Sequence, residues 1–227
     1  LATNHTLDRG VSTNWKTIKS SREYWNKQEN VIAAGSYATQ KEKDEVIVKE
    51  KNGIKYGLLA YTTLTNGLTM PKDKRFYLNV YSDALAKKDI EALRDKVDVL
   101  IVSMHWGIEY SHGVSPEQKT IAKYLSSLGV DIIIGTHSHV VEPIEYINNT
   151  LVIYSLGNFV SSQIGNEKLT GLVAAVDITK TTIDGKSVVK LSNTKADLVY
   201  TCKPNTCGKG KYKVYPYNKL NDSLLPN

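Results

Sequence analysis

The sequence predicts an α/β fold in which β-sheets lie between α-helices. Two continuous apolar runs, residues 98–104 and 130–134, are typical of central strands that are covered on both faces. An amphipathic helix with a strong start signal separates them. Segments joined by turn residues such as Asn52-Gly53 predict antiparallel hairpins before and after this central part.

The first quarter of the chain predicts one helix and several strands. Residues 1–5 are typical of the end of a buried strand that enters a polar turn. Residues 12–28 predict a helix, because apolar side chains recur there at helical spacing. Residues 31–35 predict a short buried strand, and residues 45–51 and 54–62 predict a hairpin.

Two helices accompany the central strands. Residues 82–97 predict a helix with Ala86 and Ile90 on one face. A second helix starts at Ser115-Pro116-Glu117-Gln118, because Ser and Gln can form a capping box and proline suits the first turn. Gly129 ends this helix.

The remainder of the chain predicts β-structure and a tail. Two hairpins are predicted, residues 144–147 with 151–154 and residues 172–180 with 187–191. After about residue 197 the apolar residues no longer recur at a regular spacing, which predicts a loosely packed extension. We therefore divide the chain into a main domain, residues 1–196, and an extension, residues 197–227.

Length and composition are those of a packed domain with a small appendage: 227 residues, 41% hydrophobic and 23% charged. The net charge of +6 favours an anionic partner only weakly, and no nucleic-acid motif is present. The sequence has no apolar run of membrane-spanning length and no signal peptide at its start. Because the first residues are typical of the middle of a domain, we expect an upstream segment that would carry any export signal or anchor.

Cys202 and Cys207 lie five positions apart, with no other Cys or His nearby. A structural zinc site would lack ligands there, so we predict a local disulfide. A disulfide indicates an oxidising, extracytoplasmic setting. The alternative is a pair of thiols that stay reduced.

Four of the five histidines lie where predicted segments end. His5 follows the first segment, His105 follows the first central strand, and His137 and His139 follow the second. Loops at the carboxyl ends of strands are where α/β proteins assemble their sites. The sequence therefore predicts that imidazoles from three distant stretches meet at one rim of the sheets.

The histidines after the central strands could bind a metal ion, or they could have only a structural role. Gly135 permits a tight exit from the strand, so that His137 and His139 can face one metal ion, although a His-x-His pair alone is a weak signal. A lone histidine such as His105 is more often a hydrogen-bonded structural residue. Glu109, close to it in sequence, can ligate a metal or orient an imidazole.

The first turn offers a third piece of the same site. The side-chain oxygen of Asn4 suits a hard divalent ion, and Asp8 can orient His5 for an acid role. The alternative is an ordinary turn before a helix, in which Asp8 acts as a local cap.

Together these motifs resemble the CapA-like family of capsule (poly-γ-glutamate) biosynthesis proteins. The resemblance covers about residues 1–163, including the loop from Thr65 to Lys72, and leaves the tail uncovered. It is carried, in this order, by Asn4-His5-Thr6-Leu7-Asp8-Arg9-Gly10, His105-Trp106-Gly107-Ile108-Glu109-Tyr110, Gly135-Thr136-His137-Ser138-His139 and Tyr154-Ser155-Leu156-Gly157-Asn158-Phe159.

That family is related to the calcineurin-like metallophosphoesterases. The resemblance therefore implies a four-layer α/β/β/α sandwich with two divalent metal ions (Mn, Fe or Zn), of which this chain would hold the C-terminal part. By motif, Asn4, His105 and His137 would bind one ion, and His139 would bind the other.

The resemblance also implies roles for the residues around the metals. His5, steadied by Asp8, would be the proton donor, while Glu109 and Asn158 would contact the substrate or orient the ligands. The family's Asn-Asn-His is Thr3-Asn4-His5 here, a change outside the ligating pair. The family's Gly-Asp motif and a later acidic motif precede this point, so a metal-binding aspartate would come from the upstream segment of the same protein.

Three functions remain open. The first is a capsule poly-γ-glutamate synthesis or export protein with a metal-dependent hydrolase-like site, acting on a phosphoester or on polyglutamate amide bonds. The second is a non-catalytic polymer-binding or anchoring subunit that uses metal and a lysine-rich surface. The third is a structural protein with remnant histidines. For the first two we expect a cell-surface protein, membrane-anchored through the upstream segment, in a capsule-synthesis membrane complex.

Overall fold

The computed structural model describes residues 1–10 and 12–221. Within them the α-helices are α1 (Lys16–Asn26), α2 (Gln40–Asp44), α3 (Asp83–Leu93), α4 (Pro116–Ser127) and α5 (Asn166–Leu169). The β-strands there are β1 (Lys49–Lys51), β2 (Ile54–Thr62), β3 (Val99–His105), β4 (Ile132–Thr136), β5 (Ile144–Ile147), β6 (Thr150–Ile153), β7 (Thr170–Ile183), β8 (Lys186–Cys202) and β9 (Lys213–Pro216). Short 3-10 helices occupy Lys72–Tyr77, Arg94–Lys96 and Tyr217–Lys219.

The main sheet has six strands in the order β1-β2-β3-β4-β6-β5. Its four inner strands, β2, β3, β4 and β6, are parallel, and the two edge strands are antiparallel to their neighbours. The carboxyl ends of the inner strands consequently lie along one edge of the sheet.

Different layers cover the two faces of this sheet. On one face, Ile90 of α3 and Leu125 of α4 pack with Val102 in a buried cluster. On the other face, Leu172 of the antiparallel sheet β7-β8-β9 packs with Ile132. The mixed α/β class is confirmed, and the described residues form three of the four layers, α/β/β.

The N-terminal turn packs near the carboxyl end of β2. Trp15 and Leu7 belong to a buried cluster with Ala60 of β2 and with Tyr77, and the rings of Trp15 and Tyr77 stack at 5.1 Å. This apolar contact holds the first ten residues, which carry Asn4, beside the rim where the parallel strands end.

Two local predictions are confirmed in detail. Asn52 and Gly53 both have positive φ, 54° and 77°, which the tight turn between β1 and β2 requires. At the start of α4, the Ser115 hydroxyl accepts from the Gln118 amide and the Gln118 side chain accepts from the Ser115 amide.

The strand end predicted within residues 1–5 and the strand predicted at residues 31–35 are wrong, because neither segment forms a strand. Ala33, Ala34 and Gly35 each accept a hydrogen bond from a different place in the chain: the Arg22 guanidinium, the Leu1 ammonium and the Asn79 amide. These scattered bonds satisfy the backbone without a neighbouring strand, so no ladder forms. The helix predicted over residues 12–28 starts later, at Lys16.

The prediction of a loosely packed tail is also wrong. β8 continues to Cys202 and pairs with β9, and Tyr200 is buried beside a disulfide between Cys202 and Cys207. The local disulfide is thus confirmed. The division at residue 197 stays a prediction, although β8 crosses it, and residues 222–227 lie outside the described residues. Over the part of the chain that is described, the helices are all too short or too polar to cross a membrane.

Candidate metal centre

The predicted histidines meet at the carboxyl edge of the main sheet. His105 is the last residue of β3, and His137 and His139 follow β4. Asn66 follows β2 and Asn158 follows β6, so successive parallel strands deliver polar side chains to one rim.

Three side chains from separate segments converge at the centre of this rim. The Nε2 atom of His105 lies 2.9 Å from Oδ1 of Asn4 and 3.2 Å from Nδ1 of His137. Asn4 and His137 are buried, at 4% and 9% exposure. We call these three residues the central group.

Neighbouring side chains fix the orientation of the central group. The Thr136 hydroxyl donates to the Met104 carbonyl, so its oxygen, 2.9 Å from Nδ1 of His105, is placed to accept a hydrogen bond from that nitrogen. This leaves Nε2 of His105 with a lone pair. The amide of Asn4 donates to Oδ1 of Asn66 at 3.1 Å, which turns the Asn4 oxygen towards His105. Electron-pair donors therefore face one point.

Burial keeps the central imidazoles neutral. It lowers the pKa of His105 to about 3, and the nearby His137, His139 and His5 lower it further. Burial also lowers the pKa of His137, against an opposing effect of Glu109. A neutral imidazole is the form that binds a metal ion.

The loop after β4 leaves the extended conformation, as expected from the glycine before it. His137 and His139 both have positive φ, 103° and 60°, a conformation that costs about 1–3 kcal/mol per residue and is common at functional sites. Gly135 is required at the exit, because a Cβ there would lie 1.8 Å from the Tyr154 carbonyl oxygen.

His5 and Asp8 form a pair at the exposed side of the rim. Nδ1 of His5 lies 2.5 Å from Oδ2 of Asp8, so Asp8 contacts the imidazole as expected, and the acid role of His5 stays a prediction. The His5 side chain is 65% exposed, which leaves its Nε2 open to an incoming molecule.

His139 points to a separate part of the rim. Its Nδ1 lies 3.0 Å from Oδ1 of Asn158, and its Nε2 lies 3.9 Å from Oε1 of Glu109. Its ring centroid is 6.4 Å from that of His137, and the Tyr110 ring stacks on it at 5.8 Å.

Some residues that shape the site were not recognised from the sequence. Thr136 lies inside the Gly-Thr-His-Ser-His motif, and Asn66 lies in the loop after β2, but only contacts across the sheet give them a role. Lys168, whose ammonium lies 4.7 Å from the Tyr110 ring centroid, has no local pattern at all. The fifth histidine, His112, donates to the Val141 carbonyl and is not part of the central group.

Residues 1–10 and 12–221 contain no set of three His, Cys, Asp or Glu side chains arranged to hold a metal ion. The central group has two imidazoles and an amide oxygen. The nearby carboxylates contact histidines outside this group: Asp8 contacts His5, and Glu109 contacts His139. A metal-binding carboxylate from an upstream segment stays a prediction.

The model of the bacterial capsule synthesis protein family PGA_cap matches residues 1–163. The chain belongs to this family. The match includes every residue of the rim described so far except Lys168.

Curated relatives of this PGA_cap member carry consistent names. The PGA biosynthesis protein CapA of Bacillus subtilis is 31% identical over 172 residues, which are 71% of this chain and 42% of the relative. The capsule biosynthesis protein CapA of Bacillus anthracis is 31% identical over 167 residues, 72% of this chain and 39% of the relative. A probable polyglutamine synthesis accessory protein of Mycobacterium tuberculosis is 34% identical over 68 residues, 30% of this chain and 18% of the relative. The chain thus spans about two fifths of the two CapA proteins.

Proposed function

We propose that this chain takes part in the synthesis or export of a poly-γ-glutamate capsule polymer and carries a metal-dependent, hydrolase-like site. The names of the CapA relatives support the first part. The site would act on a phosphoester or on a polyglutamate amide bond. The protein would work at the cell surface, within a membrane-associated capsule-synthesis complex.

The convergence of Asn4, His105 and His137 carries the proposal. Ligand atoms held about 2.0–2.1 Å from one ion are about 2.9 Å apart at a right angle and about 3.4 Å apart at a tetrahedral angle. The spacings at His105 Nε2, 2.9 and 3.2 Å, fit this range. Neutral imidazoles and an amide oxygen suit Mn, Fe or Zn.

Each residue then has a chemical task. Asn4, His105 and His137 would hold one ion, and His139 would hold a second. Bound divalent ions supply Lewis acidity and an activated water. Thr136 and Asn66 keep the ligand atoms aimed inward, as Asn158 does for His139.

His5 would supply the proton for the leaving group. Its Nδ1 is bonded to Asp8, so its exposed Nε2 is the atom that can protonate a departing oxygen or nitrogen. Asp8 holds the ring through Nδ1 and so keeps Nε2 directed outward, which this role requires.

A polymer-binding subunit without catalysis is the second candidate. The observation that favours it is that, among the described residues, no carboxylate forms an ion pair with His105 or His137, whereas two-metal hydrolases normally use a carboxylate ligand.

The deciding experiment combines metal analysis with an activity assay. We expect the manganese-loaded protein to bind metal and to hydrolyse an aryl phosphate or a glutamate oligomer, and His105→Ala to lose both properties. His112→Ala is the matched control, because it removes a histidine outside the central group. Bound metal without turnover favours the polymer-binding subunit. No bound metal in the wild-type protein contradicts the metal site.

A further inference from the structure

We propose that Lys168 and Tyr110 form an oxyanion-binding subsite beside His139, which receives a carboxylate of a glutamate chain or the phosphate of a phosphoester. This inference rests on the proposed function, because it places a charged part of the substrate next to the metal centre. Lys168 lies beyond residue 163, where the family match ends.

The Lys168 side chain reaches the rim through a stack of rings. Its Nζ lies 4.7 Å from the centroid of the Tyr110 ring, and that ring stacks on His139 with centroids 5.8 Å apart and an interplanar angle of 22°. A cation over an aromatic face is attracted to it and is held in place. The positive charge therefore lies one ring away from a proposed metal ligand.

The backbone of Lys168 is tied to the same place. Its carbonyl accepts a hydrogen bond from the Asn158 side-chain amide at 3.0 Å, while the oxygen of that amide lies 3.0 Å from Nδ1 of His139. Asn158 thus links the main chain of residue 168 to the imidazole, which places the start of the Lys168 side chain beside His139.

The Lys168 ammonium can still donate hydrogen bonds to a ligand. Its ion-pair partner Glu167 lies 3.6 Å away and has a 46% exposed side chain, so this pair is weak and does not use all three donors. The Lys168 side chain itself remains 25% exposed. An incoming oxyanion can displace the weak partner and gain a charge-assisted hydrogen bond.

Tyr110 is held in an unfavourable conformation that presents its ring. Its φ is 65°, which is unusual for a bulky residue, and its amide donates to the Ser138 carbonyl at 2.7 Å. That bond anchors Tyr110 to the loop of His137 and His139. Half of the Tyr110 side chain is exposed, so its ring forms an open wall of the subsite.

The test measures binding of a labelled γ-linked glutamate oligomer to the manganese-loaded protein, with inorganic phosphate as a competitor. We expect Lys168→Met to weaken oligomer binding by about tenfold or more, and Lys168→Arg to restore most of the affinity. Lys190→Met is the matched control. It removes an exposed lysine of β8 near Lys180, whose ammonium contacts Asp98 before β3, at the opposite end of the sheet.

Each outcome separates the subsite from the metal centre. Equal affinity of wild type and Lys168→Met for both ligands overturns the subsite, while normal metal content leaves the proposed function intact. An effect of Lys168→Met on phosphate alone supports the oxyanion subsite and favours a phosphate group over a glutamate carboxylate as its ligand. Equal losses in Lys168→Met and Lys190→Met contradict the subsite, because they indicate general attraction to a basic surface. Failure of the wild type to bind metal contradicts the proposed metal site instead.

Discussion

His105 and Asn4 are 101 positions apart in the chain, yet Nε2 of one lies 2.9 Å from Oδ1 of the other. Because the Thr136 hydroxyl donates to the Met104 carbonyl, its oxygen can accept a hydrogen bond from Nδ1 of His105, and in that tautomer both facing atoms offer lone pairs. Two such atoms stay close only when a cation or a proton lies between them. This contact is the reason for regarding the rim as a metal centre.

Asn4 is predicted to be a metal ligand through its oxygen. We expect Asn4→Ala to weaken manganese binding by at least about tenfold, whereas Asn4→Asp retains it because a carboxylate oxygen replaces the amide oxygen. Isothermal titration with manganese measures the difference. Asn205→Ala, in an exposed turn, serves as the control. Unchanged affinity in Asn4→Ala would exclude this residue as a ligand.

His5 is predicted to act as a general acid and not as a ligand. His5→Ala should reduce kcat by about 100-fold or more for substrates with a poor leaving group, and much less for an aryl phosphate whose leaving group needs no proton. Metal content should stay at the wild-type value. An equal loss for both classes of substrate would argue against proton donation by His5.

Glu142 is predicted to make stability depend on pH. Burial raises its pKa from 4.5 to about 7, with an opposing effect of the Gln118 hydrogen bond. Only one of its oxygens is bonded, at 2.7 Å to Gln118, and the other has no hydrogen-bond partner. The folded state thus holds a proton that the unfolded state releases. The resulting contribution to stability is complete below pH 4.5 and is lost as the pH rises through about 7.

Glu142→Gln should remove this loss, because glutamine stays neutral and can still accept the bond from Gln118. Relative to wild type, the variant should gain up to about 3 kcal/mol in free energy of unfolding between pH 5 and pH 8, measured by urea denaturation. The lowered pKa values of His105 and His137 act in the opposite direction but are common to both proteins. An identical pH dependence in the two proteins would show that Glu142 does not titrate in this range.

The disulfide is predicted to stabilise the C-terminal hairpin. Replacing Cys202 and Cys207 by serine should lower the free energy of unfolding by about 2 kcal/mol, the chain-entropy effect of closing so short a loop. Denaturation with and without reductant tests this, since reductant should weaken the wild type to the level of the variant. Insensitivity of the wild type to reductant would contradict a stabilising disulfide.

Strong local signals in the sequence determined much of the fold. The Asn52-Gly53 turn, the Ser115–Gln118 capping box and the buried strands β3 and β4 are set by neighbouring residues, so they are found where predicted. Predictions of strands failed where strand formation depends on a neighbouring strand distant in sequence. Residues 31–35 are apolar enough for a strand but have no neighbour to pair with, and the end of β8 lacks a clear period but pairs with β9.

The same distinction holds for the candidate site. The sequence by itself determined which residues are candidates for the site, because Asn4, His5, His105 and the His137–His139 pair stand out by residue type and motif. Only the tertiary structure decided which atoms face one another, and it added Thr136, Asn66 and Lys168. The physical reason is that parallel strands bring distant chain segments to one rim, where hydrogen bonds across the sheet fix each ring, and no local pattern encodes those distances.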